Sequence, residues 1–463
     1  MTIMKNPLKT VLMALTLAGS LGASSTVMAL DLLQCYQLAI NNDPAWRATL
    51  STYLADQQNE GLAFGALLPQ IGASASITRQ RIDPEQGNTT MNNTAKQAGL
   101  VLRQPLFRRD LWQRYQQARI GTTLNDAALE AQQQQFILKV GQAYFDALRA
   151  DAVLDALYAE ERAFNQQQTM MQERFKAGLI ARTDWSEAQA QFQLTRAARI
   201  SGEINVTNSR EVLAGLIGQP VTTLSPLSEN FQFIPPVPNQ LAEWEQLSRS
   251  KNPSVQVARF QTDLAESNRK IQQSGHFPQL DLVGQGGWVD NSATQQKLTN
   301  GKTLSAGLEL SIPLYTGGRT TLTVRQAAYQ VDAAEKKWQA AQRDALVQTR
   351  LAFLGLDADR AKLSARKEAQ TSGDLVAEAS KAGYDLGMRT MVDVLQAQRT
   401  AYAARRDLIA AKYDYVQHLL QLKAAAGVLS AGDLAEINQW LTGHDEAIRI
   451  QPVVKKTTVK RRK

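Results

Sequence analysis

The sequence predicts a mainly α-helical protein with a small β part, built as two copies of one unit. Three observations predict it. Two long runs, from Pro105 to Pro220 and from Pro313 to Pro452, hold no proline between their ends and are rich in Ala, Gln, Leu, Glu, Lys and Arg, the strong helix formers. Before each run lie short segments in which apolar and small polar residues alternate, the period of a strand. Motifs of the first half then recur in the second, 208 or 209 positions on.

Taken in order, residues 1–29 read as a secretory signal peptide. Lys5 and Lys9 form a basic start, Val11 to Ala23 an apolar core, and Val27-Met28-Ala29 a small-residue cleavage site. The core is too short to cross a bilayer, and no later run of about 18 apolar residues exists, so no transmembrane helix is expected. The net charge of +8 sits at the two ends, in Lys5 and Lys9 and in the six basic residues from Lys455 to Lys463. The body is close to neutral. A basic tail over 451–463 can touch phosphate headgroups or nucleic acid, but it is read here as a solvated, disordered end with no nucleic-acid partner.

Cys35 is the only cysteine, so no intrachain disulfide is expected despite export. Gln34 stands where a lipidation site needs a small residue, so Cys35 reads as the apolar face of a helix beginning near Leu32. His276, His418 and His444 lie far apart, without metal-ligand spacing, and no cofactor is expected.

The first unit covers 30–219: a helix, a β-hairpin over 68–107, a long helix over 108–177 and a returning helix over 183–217. Ile71 to Thr78 alternates apolar with small polar residues, and Gln97 to Leu102 does so more weakly. In the long helix Phe136, Val140, Ala143, Ala147, Ala150 and Leu154 recur at steps of three and four, an alanine-rich stripe that permits close helix packing. Such a helix reaches on the order of 100 Å and needs neighbours along its length. Pro235-Pro236-Val237-Pro238 marks a linker over 220–252. The second unit covers 253–428: a helix, a hairpin over 278–316, a long helix over 318–382 and a helix over 390–426. A further helix is expected over 429–450.

Four strands of about ten residues match what a tilted strand needs to cross an outer membrane. Four cannot close a barrel, and an open edge cannot sit in lipid. Strands in a membrane would therefore require oligomerisation.

The stretch Gly383 to Gln398 lies deep inside the second helical run, and Arg174 to Gln189 echoes it 209 positions earlier. Gly178 falls on Gly387 and Asp184 on Asp393. Each copy has a Gly-centred break, then a Thr and an Asp. Gly tolerates the left-handed end of one helix, and Thr or Asp caps the next. As ordinary structure these are two hairpin turns, with Asp393 a first-turn carboxylate and Tyr384 and Arg389 solvent-facing.

Asn42-Asp-Pro44 answers Lys251-Asn-Pro253, Leu68-Pro69-Gln70 answers Phe277-Pro278-Gln279, and Pro105-Leu106-Phe107 answers Pro313-Leu314-Tyr315. With Gly387-Met-Arg-Thr-Met-Val-Asp-Val-Leu395, these motifs in this order resemble the TolC-type outer-membrane channels of Gram-negative bacteria, over about residues 30–430. The resemblance implies a homotrimer embedded in outer-membrane lipid, each subunit giving four strands to one twelve-stranded β-barrel that continues as a long periplasmic α-helical barrel. It implies an equatorial belt from the linker and from the helix after Ser430. The function implied is a passive exit duct for multidrug efflux or type I protein secretion. A periplasmic adaptor and an inner-membrane efflux pump or ABC transporter would open its periplasmic tip.

Residue by residue, the resemblance makes Tyr384 and Arg389 the residues that lock the closed tip, and Thr183 and Asp184 their partners on the first hairpin. Gly178, Leu179, Gly387 and Thr390 fall in the turns that would contact the adaptor. Asp393 matches an aspartate ring at the pore constriction, where converging carboxylates favour cations and can bind a multivalent one. Gln396 stands where the family pattern has a second aspartate, which makes that ring neutral.

Two other classes stay open on the residues alone. A pore-free periplasmic coiled-coil scaffold would show sustained heptads and no amphipathic hairpins, against the strands at 71–78 and 304–312. An enzyme would need convergent polar groups, and no Ser/His/Asp grouping, metal cluster or phosphate loop is apparent.

Overall fold

A computed structural model of the 463-residue chain describes residues 29–82, 91–228, 233, 235–291 and 301–442. The segment read as a signal peptide, apart from its last residue, and the basic tail lie outside the described residues.

The described residues open with three short helices, α1 (Leu32–Asn42), α2 (Pro44–Asp56) and α3 (Gln58–Gly65). They replace the single helix expected there. Pro44 supplies no N–H and a preset φ, so a helix must begin at it, and Asp43 caps that start by accepting from the Ala45 N–H at 2.7 Å. Strands β1 (Gln70–Ile82) and β2 (Met91–Phe107) follow, then α4 (Arg109–Lys176) and α5 (Arg182–Ile217). The expected linker contains a helix, α6 (Leu241–Lys251), whose Trp244 is fully buried. Its prolines precede the helix and do not interrupt it. The second unit then runs α7 (Pro253–Gln273), β3 (Gln279–Asn291), β4 (Gly301–Ser311), α8 (Arg319–Asp385) and α9 (Met391–Ala425). Within the described residues, the helix expected over 429–450 is a short one, α10 (Ala431–Asn438). At 68 and 67 residues, α4 and α8 are each about 100 Å long.

The strands form one antiparallel sheet in the order β1-β2-β3-β4. Register sorts its two faces. Ala73 pairs with Leu100, Leu100 with Gly286 and Gly286 with Leu304, so apolar and small residues share one side. Ser74, Gly99, Gly287 and Thr303 share the other. Leu304 is 91 % and Ile71 75 % exposed in the single chain, so the apolar side has no cover from the protomer itself. Both β1 and β4 are open edges.

The largest core lies near the middle of α4, where Val140, Tyr144 and Phe145 pack with α1, α5, α9 and α10. Tyr144 donates to the Leu30 and Ser225 carbonyls at 3.2 and 3.0 Å, tying the segment before α1 to the linker. The predicted stripe is buried at Phe136, Val140, Ala143 and Ala147 but only partly at Ala150 and Leu154, where α4 leaves this core. Both units close their returning helix the same way. Asn42 donates to the Ile217 carbonyl at 2.7 Å, and Asn252 to that of Ala425 at 2.8 Å.

Candidate gate at the helical tip

The two inter-helix turns are the same structure twice. At the end of α4, Leu179 N–H donates to the Arg174 carbonyl and Gly178 N–H to that of Phe175, both at 2.9 Å. At the end of α8, Met388 N–H reaches the Gly383 carbonyl at 2.8 Å and Gly387 N–H that of Tyr384 at 2.9 Å. Gly178 and Gly387 have φ of 72° and 74°, the left-handed helix end that glycine adopts without Cβ strain.

The helix starts differ. Thr390 and Asp393 form a reciprocal capping box on α9. The counterpart of Thr390 is Ala181, which has no side chain to cap α5. Thr183 and Asp184 therefore sit inside the first turn of α5, a correction to the expectation that they cap it. Among the described residues the Asp184 carboxylate is met by the Thr183 hydroxyl, at 3.4 Å. Asp393 is held ionised: hydrogen bonds from the Thr390 backbone and hydroxyl, with the Arg389 charge, lower its pKa below the ordinary carboxylate value.

Between the turns lies an apolar cluster of Phe164, Met171, Ala188, Met391, Val394 and Leu395. Phe175 stacks on Trp185 with ring centroids 5.6 Å apart. The Tyr384 hydroxyl faces Met171 Sδ at 3.9 Å, and Arg174 lies over the Tyr384 ring at 5.6 Å. Arg174 also pairs with Asp385 at 3.8 Å. Within one protomer, Tyr384 and Arg389 make no hydrogen bond or ion pair with Thr183 or Asp184. α4 packs along both α5 and α9, and α9 along α8, while at the tip α5 meets α9 through the apolar cluster rather than through these polar residues. Leu179, Leu386 and Met388 at the turns are each 73 % exposed, and Gln396 is also exposed.

Sequence reasoning missed Met171, Arg174, Trp185 and Asp385. The aromatic pair Phe175 and Trp185, flanking Gly178, was the available signal for a packed tip. Among the described residues no three His, Cys, Asp or Glu gather as metal ligands, and no helix is long and apolar enough to cross a membrane.

A two-unit chain, with a two-faced sheet at one end of paired helices about 100 Å long and glycine turns at the other, has known relatives. The family model described as outer membrane efflux protein matches residues 35–219 and 244–428. The chain belongs to that family. It is 34 % identical to the outer membrane protein TolC of Vibrio cholerae over 93 % of this chain and 98 % of that one. It is 30 % identical to the alkaline protease secretion protein AprF of Pseudomonas aeruginosa, over 88 % and 86 %. Its fold is similar to that of the Campylobacter jejuni CmeC outer membrane channel, with a TM-score of 0.75, 18 % identity, and 96 % and 99 % of the chains covered. The protein is an outer-membrane exit duct of the TolC type, reaching from the Gram-negative outer membrane into the periplasm.

Proposed function

We propose that three copies of the chain form one passive channel, each contributing β1–β4 to a closed twelve-stranded barrel and α4, α5, α8 and α9 to a helical tunnel. The observation that carries this is the sheet: two open edges and an uncovered apolar face, which only closure with further copies can satisfy in lipid. The flanking helices support it. Leu194, Ile204 and Val212 on α5, and Leu322, Leu351 and Leu375 on α8, are exposed in the single chain. They supply apolar faces for a seam between protomers.

At that seam α8 and its turn meet α5 of the next copy. Arg389 and Asp184 then belong to different subunits, and a lock between them is intermolecular. Thr183 stands beside Asp184 as a second acceptor, and Tyr384 holds the inner turn through Met171 and Arg174. Asp393, one per subunit, forms a single charged ring, with a neutral ring at Gln396. TolC-type channels work with periplasmic adaptors and inner-membrane pumps or ABC transporters. The exposed turns at Gly178, Leu179, Gly387, Met388 and Thr390 are where an adaptor docks. The cargo includes secreted protein as well as drugs, as the similarity to an alkaline protease secretion protein supports. No step in this reading is enzymatic, and the sheet disfavours a pore-free scaffold.

Native mass measurement of the detergent-purified protein tests the assembly. The expected result is the mass of three chains; a monomer or dimer as the sole species contradicts it, because four or eight of these strands leave open edges.

A further inference from the structure

We propose that Arg174 and Asp385 form a second, intramolecular strap of the gate, which holds the inner hairpin of each protomer against its own outer hairpin; this rests on the channel reading above. Arg174 is in the last turn of α4, and Asp385 is the last residue of α8, 211 positions away. The guanidinium does two things at once. Its Nη2 stands 3.8 Å from Asp385 Oδ1, and its carbon lies 5.6 Å from the centre of the Tyr384 ring. A planar cation that stacks on one residue and pairs with the next fixes both, which a lysine cannot do as well.

The strap is anchored at its root. The Arg174 carbonyl closes the α4 turn by accepting the Leu179 N–H at 2.9 Å, so its backbone is part of the outer turn. Moving the α8–α9 hairpin away from α4 must therefore break the Arg174 contacts or unwind that turn. The contacts are the weaker: Arg174 and Asp385 side chains are 37 % and 54 % exposed, so water competes for them.

The repeat shows that the strap is one-sided. At an offset of 209, Arg174 corresponds to Gly383, Tyr384 to Phe175 and Asp385 to Lys176. Lys176 pairs instead with Glu173 of its own helix at 2.8 Å. Gly383 has no side chain to reach across, and the stem of Arg389 lies where its Cβ would go. A seam between protomers built on the same packing thus lacks this strap and depends on Arg389. The two arginines divide the work, with Arg174 acting within a subunit and Arg389 between subunits. Arg174 is a positioning residue: it touches no cargo and acts through the hairpin it holds.

A charge-exchange series tests this. Single-channel conductance is recorded in planar bilayers at about 0.15 M salt, where the Debye length of about 8 Å exceeds the separation and such a pair is only partly screened. Wild type is compared with Arg174→Gln, Asp385→Asn, Arg174→Asp and the exchange Arg174→Asp/Asp385→Arg, with Arg389→Ser as a control. Arg174→Gln and Asp385→Asn are expected to raise the open fraction about threefold, the scale of one exposed pair. Arg174→Asp should exceed both, and the exchange should return towards wild type. Wild-type behaviour in the single variants beside an opened Arg389→Ser overturns the strap and leaves the channel standing. So does an exchange variant as open as Arg174→Asp. Absence of conduction in every sample, Arg389→Ser included, overturns the channel and the strap together.

Discussion

Thr390 and Asp393 hold each other. The Asp393 N–H donates to Thr390 Oγ1 at 3.2 Å, and Asp393 Oδ2 accepts from the Thr390 N–H at 3.0 Å and its hydroxyl at 2.7 Å. The second tip hairpin therefore re-enters its returning helix through a rigid box, while the first re-enters through Ala181 with no side-chain cap. The carboxylate that lines up with Asp393 in the other repeat, Asp184, stays free of capping. In one unit the acid caps its helix, and in the other it does not.

Removing the box should loosen one hairpin only. Thr390→Ala is expected to cost about 1 kcal/mol of local stability at the start of α9. Amide hydrogen exchange over the first turn of α9 should then be about fivefold faster, with α5 unchanged. The reverse change, Ala181→Thr, should slow exchange at the start of α5. Equal effects on both helices would contradict the asymmetry.

The state of Asp393 sets a pH dependence. Its folded pKa lies below the ordinary value of 3.8 because the Thr390 hydrogen bonds and the Arg389 charge favour the ionised form. A depressed folded pKa means that the stabilisation is present above the unfolded value and is lost as pH falls through the folded one. In the proposed ring these contacts oppose the mutual repulsion of three carboxylates, so cation selectivity, read as a reversal potential in a salt gradient, should be full at neutral pH and fade as pH falls into the acidic range. Asp393→Asn should abolish it at every pH. Selectivity that survives in Asp393→Asn, or that grows as pH falls, would contradict the assignment.

Cys35 should be chemically silent. It is fully buried in α1, and burial with the nearby Asp31 charge pushes its thiol up to about 12. Maleimide should therefore leave the mass of the folded protein unchanged and add one label after denaturation. Labelling of the folded protein would mean that the core around Leu32, Tyr36 and Val140 is open.

The glycines that end the returning helices should tolerate substitution far less than those at the tip. Gly427 has φ of 74°, and a Cβ there would fall 2.3 Å from the backbone Cα of Asn252. Gly178 has a similar φ but open space around it. Gly178→Ala should cost about 1 kcal/mol and still yield folded protein. Gly427→Ala should yield little, because the junction between α6 and α7 cannot retreat. Equal recovery of the two variants after detergent extraction would contradict this.

Much of the fold was legible because its signals are periodic and doubled. Proline-free runs outline α4, α5, α8 and α9, and the constant offset pairs Gly178 with Gly387. Legibility ended where a contact joins residues far apart. Nothing local marks Arg174 as the partner of Asp385, or places Met171 under the Tyr384 hydroxyl. Composition also hid α6, since the prolines before it read as a linker over 220–252. At the candidate gate the glycine turns at Gly178 and Gly387 were readable, but the surroundings of Tyr384, Arg389, Thr183 and Asp184 were not. Within one chain Asp184 and Arg389 make no contact, and the proposed trimer would let them meet between subunits.

Single-channel conductance of the purified protein in planar bilayers, with wild type beside Arg389→Ser, tests the central claim most directly. The expected result is discrete steps from wild type and larger ones from Arg389→Ser, with the assembly unchanged. A protein that inserts as folded trimers yet conducts in neither form would contradict the account of this chain as an outer-membrane channel closed at its helical tip.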